Sequence, residues 1–437
     1  MERPDSTTQE RPAEKHARTL SGDRLFKNLS PSAGKAVPQD PAVAPSTGGG
    51  DSLRARVAVH TDEKRPFQLI IPRAFQPRRD RHARTRVAFL RYSYYDIVFK
   101  YFTEQVLDAD YLPLPAPTRR TVELGSRNSS DCVCAPFKHI LGDYIEGLEL
   151  GADVLVQFAG PCRLGYYGEL QESILRDLGY SFTMLNFSTL TGKPLKEYIE
   201  TCRKKVNPNL SIPHGVRHML AVFKMIESLD ETNGYYLSHA GFETDPGSFD
   251  HALATYHDDM RHATSERDIS EAQRHGMDTL RSLPISIPEN PLRVGIVGEY
   301  FTAVDPHSNL GVERKLLDMG IELHRLLNIT NRNLHYNEKN LRAGISDYVR
   351  YDMGPTSTMT LAAALKYAQE GFDGIIHLKS SGCTPEIDCI PVLQRISHDM
   401  HIPILYLSYD SQTSDTGLGT RLEAFYDMIA MKRRHYR

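Results

Sequence analysis

The sequence predicts an α/β protein with two parallel-sheet lobes, joined by a helical connector and preceded by a disordered leader. Short apolar runs alternate with stretches of helical periodicity in two separate blocks, a pattern typical of parallel strands linked by helices. A charged helical stretch divides the blocks. The chain has 437 residues, and since a single core stops growing at about 250 to 300 residues, two lobes are expected.

The first 85 residues are expected to lie outside the folded lobes. Residues 1–62 are rich in Ser, Thr, Pro, Gly and charge and have no periodic apolar run, so they are interpreted as a disordered leader. Residues 63–85 are rich in arginine around one apolar run, "FQLII". We interpret them as a solvated linker, with a small basic docking patch as the alternative.

Residues 86–211 are predicted to form the first α/β lobe. Strand candidates are "RVAFLRY", "DVLVQF" and "SFTMLNF", and a stretch of helical character follows each of them. Residues 212–290 are predicted to form the helical connector, in which "MLAVFKMIESL" is the clearest amphipathic run and "SLPISIPENP" ends the segment.

Residues 291–437 are predicted to form the second α/β lobe. It begins with the strand "PLRVGIVGEYF", followed by a polar loop, "TAVDPHSNLG", and a helix, "VERKLLDMG". Three further strand candidates are "IELHRLL", "DGIIHLK" and "IPILYLS". The functional loops of such folds lie beyond the carboxyl ends of the strands.

Composition argues against several classes of partner. The formal charge is −3, so no global basic field would hold nucleic acid or an anionic membrane. No stretch approaches the roughly 20 apolar residues that span a bilayer, and the amino terminus is charged where a signal peptide is apolar. The sequence therefore predicts a soluble, cytoplasmic protein. Six cysteines are too few for a disulfide scaffold and are free for packing, catalysis or metal binding.

Four cysteines fall where functional loops are expected. Cys162 directly follows the strand "DVLVQF" and Cys383 directly follows "DGIIHL". Cys132 and Cys134 precede a helical pattern, whose first amides favour a nearby thiolate. Thiolates select iron–sulfur clusters, zinc or Cu(I), and the long separations fit a cluster between lobes better than a local zinc finger.

Ordinary buried or reactive cysteines remain the alternative, because free cysteine is among the most buried residue types. Cys202 lies in a helical pattern and is interpreted as a packing residue. Cys389 follows Cys383 by six residues on a predicted helix, and packing is favoured over ligation there.

Five motifs together resemble a known family: "CAPFK", "GPCRLGYYGEL", "VGIVGEYFTAVDPHSNLGVERKLLDMG", "SGCTPE" and "TGLGTRLEAFYDMI". In this order they are similar to the iron–sulfur proteins related to 2-hydroxyacyl-CoA dehydratases, and to the branch labelled acyl-CoA dehydratase activase-related. The resemblance covers roughly residues 86–432. It implies two flavodoxin-like lobes with a [4Fe–4S] cluster, or a larger iron–sulfur cluster, between them. The implied ligands are Cys134, Cys162 and Cys383, with one iron position open or held by another group.

Several further residues acquire candidate roles from this resemblance. Cys132 can substitute for Cys134 or supply a fourth thiolate. The candidates for tuning the cluster are Lys138, Arg163, Tyr166, Tyr167 and Glu386. The two cations would offset the negative charge of the cluster, the tyrosines would exclude water, and Glu386 would cap its helix or handle a proton. The alternative is that these are ordinary surface charges and core tyrosines.

The resemblance also implies a function. Dehydratases of this superfamily pass one low-potential electron to an acyl-CoA thioester, after an ATP-driven activator supplies it. The expected partner is therefore such an activator or a dehydratase subunit, while a homodimer stays open. The chain has neither a P-loop nor glycine-rich phosphate motifs, so we expect no ATPase domain. The alternatives are an ATP-coupled small-molecule reductase that depends on a partner, and a cluster-free docking or assembly protein. Whether the chain is itself an enzyme stays open.

Overall fold

A computed structural model describes residues 84–158, 167–187, 194–330, 338–410, 413 and 415–435. The predicted fold class is confirmed: two four-stranded, all-parallel sheets are flanked by helices and form two flavodoxin-like lobes. The predicted leader lies outside the described residues, as do most of the predicted linker and Cys162, Arg163 and Tyr166.

The first lobe has the strand order β2-β1-β3-β4. Its strands are β1 (Arg86–Phe89), β2 (Asp110–Tyr111), β3 (Val154–Gln157) and β4 (Thr183–Asn186). Its helices are α1 (Asp96–Tyr101), which continues as a π-helical turn (Phe102–Val106), α2 (Arg119–Arg127), α3 (Ala135–Glu149), α4 (Tyr167–Asp177) and α5 (Leu195–Lys205). A 3-10 turn, Ser93–Tyr95, precedes α1. All four residues of β3 are buried, as expected for an inner strand covered on both faces.

Three helices connect the sheets, as the pattern of the sequence predicts. They are α6 (Ile212–His239), which ends in a 3-10 turn (Ala240–Phe242), α7 (Ser248–His262) and α8 (Glu266–Ser282). Met225 and Leu229 of α6 belong to the core of the first lobe, whereas Tyr236 and Leu237 belong to the core of the second. Because α6 is 28 residues long, it contributes to both cores.

The second lobe repeats the topology of the first, with the strand order β6-β5-β7-β8. Its strands are β5 (Leu292–Gly298), β6 (Ile321–Arg325), β7 (Gly374–Ser380) and β8 (Ile404–Tyr409). Its helices are α9 (Tyr300–Val304), α10 (Pro306–Asn309), α11 (Val312–Asp318), α12 (Glu338–Gly344), α13 (Pro355–Gln369), α14 (Thr384–Asp399) and α15 (Leu418–His435). Every residue of β7 is buried.

Direct contacts join the two lobes at the carboxyl ends of β1 and β5. The Tyr92 ring stacks on Phe301 of α9 at a centroid distance of 5.6 Å, and the Tyr92 hydroxyl donates a hydrogen bond to the Tyr300 carbonyl at 2.9 Å. The buried Asp305 carboxylate accepts the Ser93 amide at 2.9 Å. Apolar packing and satisfied buried hydrogen bonds thus hold this part of the interface together.

The structure corrects one element of the sequence prediction. The segment "TAVDPHSNLG", expected to be a polar loop, contains the end of α9 and all of α10. Asp305 begins α10 by accepting the Ser308 amide at 2.9 Å, and Pro306 occupies the first turn, where a missing amide donor costs nothing. Strand β2 and helices α2 and α12 are additions to the predicted elements. In the described part of the chain, no helix has the length and apolar character needed to cross a membrane.

Candidate functional site

Cys134 and Cys383 come together from different lobes. Cys134 is the residue directly before α3, and Cys383 is the residue directly before α14. The backbone of Gly382 lies against Cys134, so closely that a Cβ atom on Gly382 would be 3.4 Å from the Cys134 Cα atom. The structure therefore brings together two of the three cysteines that the sequence singled out.

This meeting point lies at the switch point of the second sheet. Strands β5 and β7 are neighbours, and the chain continues from them to opposite edges of the sheet, to β6 and to β8. Ligands of open α/β sheets bind in the crevice at such a point, beyond the carboxyl ends of the strands. Glu299 follows β5 directly, and Cys383 follows β7 after two residues. The cysteine thus occupies the position at which this fold commonly binds ligands.

The start of α3 orients Cys134. The Cys134 side chain makes no capping hydrogen bond to its own helix. Its sulfur instead contacts the Tyr167 hydroxyl, and the Tyr167 ring packs edge-on against Phe137 at a centroid distance of 5.0 Å. Tyr167 begins α4 and follows Cys162 by five residues in the sequence. The predicted tuning residue Tyr167 therefore lies beside Cys134 and just after the segment that holds Cys162.

The surroundings of Cys383 disfavour a free thiolate. Burial raises the pKa of the Cys383 thiol well above its ordinary value, and the nearby Glu299 and Glu386 carboxyls raise it further. The nearby Glu386 backbone amide acts in the opposite direction. Without a cation this thiol is therefore protonated at neutral pH, whereas metal coordination deprotonates a thiol.

Glu299 is a functional candidate that the sequence interpretation did not single out. It is buried, and its carboxylate accepts the Phe301 amide at 2.8 Å and the Thr302 amide at 2.7 Å, at the start of α9. Burial raises the pKa of the Glu299 carboxyl from 4.5 to about 7, and the neighbouring Glu386 adds to the effect. Its position directly after the apolar strand "VGIVG" was the available signal.

Glu386 is fully buried and faces the interior of the second lobe. Its carboxylate accepts the His377 Nε2 hydrogen at 2.8 Å and the Thr360 hydroxyl at 3.0 Å. The carboxylate thus ties α14 to β7 and α13.

The other predicted residues have different environments. Cys132 is exposed. Cys389 is fully buried within α14 and its thiol donates to the Ser357 carbonyl at 3.7 Å, which favours packing. Cys202 is fully buried in the core of the first lobe, as predicted. Lys138 lies one turn into α3 and is 9% exposed. Across the described ranges, no cluster of three or more His, Cys, Asp or Glu side chains is arranged to hold a metal ion.

The cysteine thiols at this site can be compared with the ligands that a sulfur-bound metal group requires. Two soft thiol donors converge from two lobes, each at a helix start, where the helix dipole favours negative charge. The third expected donor, Cys162, lies outside the described residues. The two observed thiols are donors of the kind that iron–sulfur clusters take. No protein-family model and no curated protein matches the chain. The fold and site define an α/β protein of two lobes with a thiol pair between them.

Proposed function

We propose that this chain is an iron–sulfur protein of the 2-hydroxyacyl-CoA dehydratase and activase-related type, which carries low-potential electrons. Cys134, Cys162 and Cys383 would hold a [4Fe–4S] cluster, or a larger one, between the lobes. The observation that supports this proposal is the meeting of Cys134 and Cys383 at two helix starts from different lobes. Such a cluster supplies one-electron chemistry, at a potential set by its ligands, hydrogen bonds and burial.

Donor groups beside the two sulfurs are the first contribution of the protein. The Tyr167 hydroxyl donates to Cys134 Sγ when that sulfur is a thiolate. The Cys383 side chain makes no capping hydrogen bond to α14, but the nearby Glu386 backbone amide lowers the pKa of its thiol. Donors at sulfur spread the negative charge of a thiolate and make its metal group easier to reduce. The fold thus places a hydroxyl donor at Cys134 and a backbone amide near Cys383.

Buried carboxyls near Cys383 are the second contribution. Because the pKa of Glu299 is raised to about 7, this group binds a proton in neutral solution for a substantial part of the time. The neutral form limits the negative charge beside the thiolate. Glu386 remains fixed by His377 and Thr360, so it holds the start of α14 in place.

The electrons would come from a separate protein. The chain has no P-loop and none of the glycine-rich phosphate motifs of an ATP-driven activator. We infer that its partner is such an activator or a dehydratase subunit. A cytoplasmic location follows from the same proposal, because a reducing compartment keeps cluster-binding thiols reduced.

Low-temperature EPR of protein purified without oxygen and reduced with dithionite tests this function. We expect a cluster signal in the unsubstituted chain and in Cys132→Ser, an exposed position two residues from the site. The signal should be lost in Cys134→Ser and in Cys383→Ser. A chain that gives no signal even after incubation with iron and sulfide, or a signal that survives both substitutions, would overturn the proposal.

A further inference from the structure

We propose that Ser380 is a positioning residue that holds Cys134 and Cys383 in register across the two lobes. Ser380 is the last residue of β7 and is fully buried. Its hydroxyl oxygen accepts the backbone amide of Ala135, the residue after Cys134, at 2.8 Å. Its carbonyl oxygen accepts the backbone amide of Cys383 at 3.1 Å. One residue is therefore bonded to both cysteine segments.

The bond to Ala135 replaces an ordinary helix cap. The first amides of a helix lack partners within the helix, and a Ser, Thr, Asp or Asn before the helix commonly accepts one of them. Cys134 occupies that position and makes no such bond. Pro136 has no amide to donate, which leaves the Ala135 amide as a buried donor that needs an acceptor. The other lobe supplies that acceptor through Ser380.

The arrangement relieves the Cys134 side chain of the capping role. Because Ser380 satisfies the helix start, the sulfur is turned toward Tyr167 and is not used for capping. The close approach of Gly382 to Cys134 depends on the same register between α3 and the loop after β7. The neighbouring Ser381 is exposed, and its amide bonds within the second lobe, to the Tyr409 carbonyl at 2.7 Å. Ser381 is therefore a matched control for Ser380.

The distance between the two thiols can be tested in cluster-free protein with dibromobimane, which becomes fluorescent when it links two nearby thiols. The background carries Cys132→Ser and Cys162→Ser, so that Cys134 and Cys383 are the remaining cysteines that are not fully buried. We expect Ser380→Ala to slow the cross-linking reaction about tenfold, because the loss of one buried hydrogen bond of ordinary strength changes an equilibrium by about that factor. Ser380→Thr, which keeps the hydroxyl, should restore the rate, and Ser381→Ala should leave it unchanged. Equal rates in the Ser380→Ala and Ser381→Ala variants would refute the role of Ser380.

A second measurement needs no substitution and is informative even if Ser380→Ala does not fold. Hydrogen exchange of the unsubstituted chain should show the Ala135 amide protected, although the first amide of a helix has no partner within that helix. Exchange of this amide at the rate of an unfolded peptide would contradict the inference.

The consequence for electron transfer rests on the proposed function. In cluster-loaded protein, Ser380→Ala should shift the midpoint potential or reduce cluster occupancy, whereas Ser381→Ala should do neither. A chain that binds no iron but shows the expected cross-linking pattern would refute the proposed function and leave the positioning role intact. A chain that binds iron but in which both serine variants behave alike would refute only the positioning role.

Discussion

Replacement of Glu299 by Gln should change how the stability of the cluster-free protein depends on pH. The Glu299 carboxyl is 8% exposed, and burial raises its pKa from 4.5 to about 7. The folded protein therefore binds this proton more tightly than the unfolded chain does. The resulting stabilisation is complete below pH 4.5 and is lost as pH rises through about 7. The corresponding loss is about 3 kcal/mol in the free energy of unfolding.

Guanidinium unfolding between pH 5 and pH 8 measures this effect. The free energy of unfolding of the unsubstituted chain should fall across this range relative to that of Glu299→Gln. Any advantage in stability of the unsubstituted chain over the variant therefore shrinks or reverses toward pH 8. The comparison isolates Glu299 from other buried carboxyls, such as Asp143 and Asp230, whose pKa values burial also raises. Glu271→Gln, at an exposed position of α8, controls for the general effect of replacing a glutamate by a glutamine. Parallel curves for the unsubstituted chain and Glu299→Gln would refute the reasoning.

Two further substitutions probe the region around Glu299 and Cys134, and Gly179→Ala is a control for the first of them. Gly298→Ala should lower the free energy of unfolding by about 3 kcal/mol or more, because Gly298 has φ +145° and a Cβ would lie 1.8 Å from the Leu378 carbonyl oxygen. Gly179→Ala, at φ +90° with open space around it, should cost only about 1 kcal/mol, and equal thermal shifts would contradict this account. Tyr167→Phe should slow alkylation of Cys134 at neutral pH about threefold to tenfold, since a thiolate loses its hydrogen-bond donor. An unchanged rate would show that the hydroxyl does not stabilise the thiolate.

The fold could be predicted from the sequence because most strands are compact apolar runs between helical stretches. Strand β7 illustrates this, since all seven of its residues are buried and the sequence "DGIIHLK" contains a compact apolar run. Strand β2 was missed because it has only two residues, Asp110–Tyr111. Helix α10 was mistaken for a loop because Asp, Pro, Ser and Asn are residues of turns as well as of helix starts. Asp305 and Pro306 were the signals of a helix start in that segment.

The candidate site was predictable in part. The positions of Cys134 and Cys383 next to helix starts follow from local pattern, since each lies between a turn signal and a helical run. Their meeting does not, because it depends on how two distant segments pack. The role of Ser380 could not be predicted for the same reason. A serine at the end of a strand does not indicate that its hydroxyl accepts an amide hydrogen 245 positions away in the chain. Residues joined only by tertiary contacts require the structure.

Iron and acid-labile sulfide per chain, measured on protein purified without oxygen, test the central claim most directly. We expect about four of each per chain, with both lost in Cys383→Ser and retained in Cys132→Ser. Iron and sulfide at background levels in the unsubstituted chain, before and after reconstitution, would contradict the claim that the two lobes hold a cluster between them.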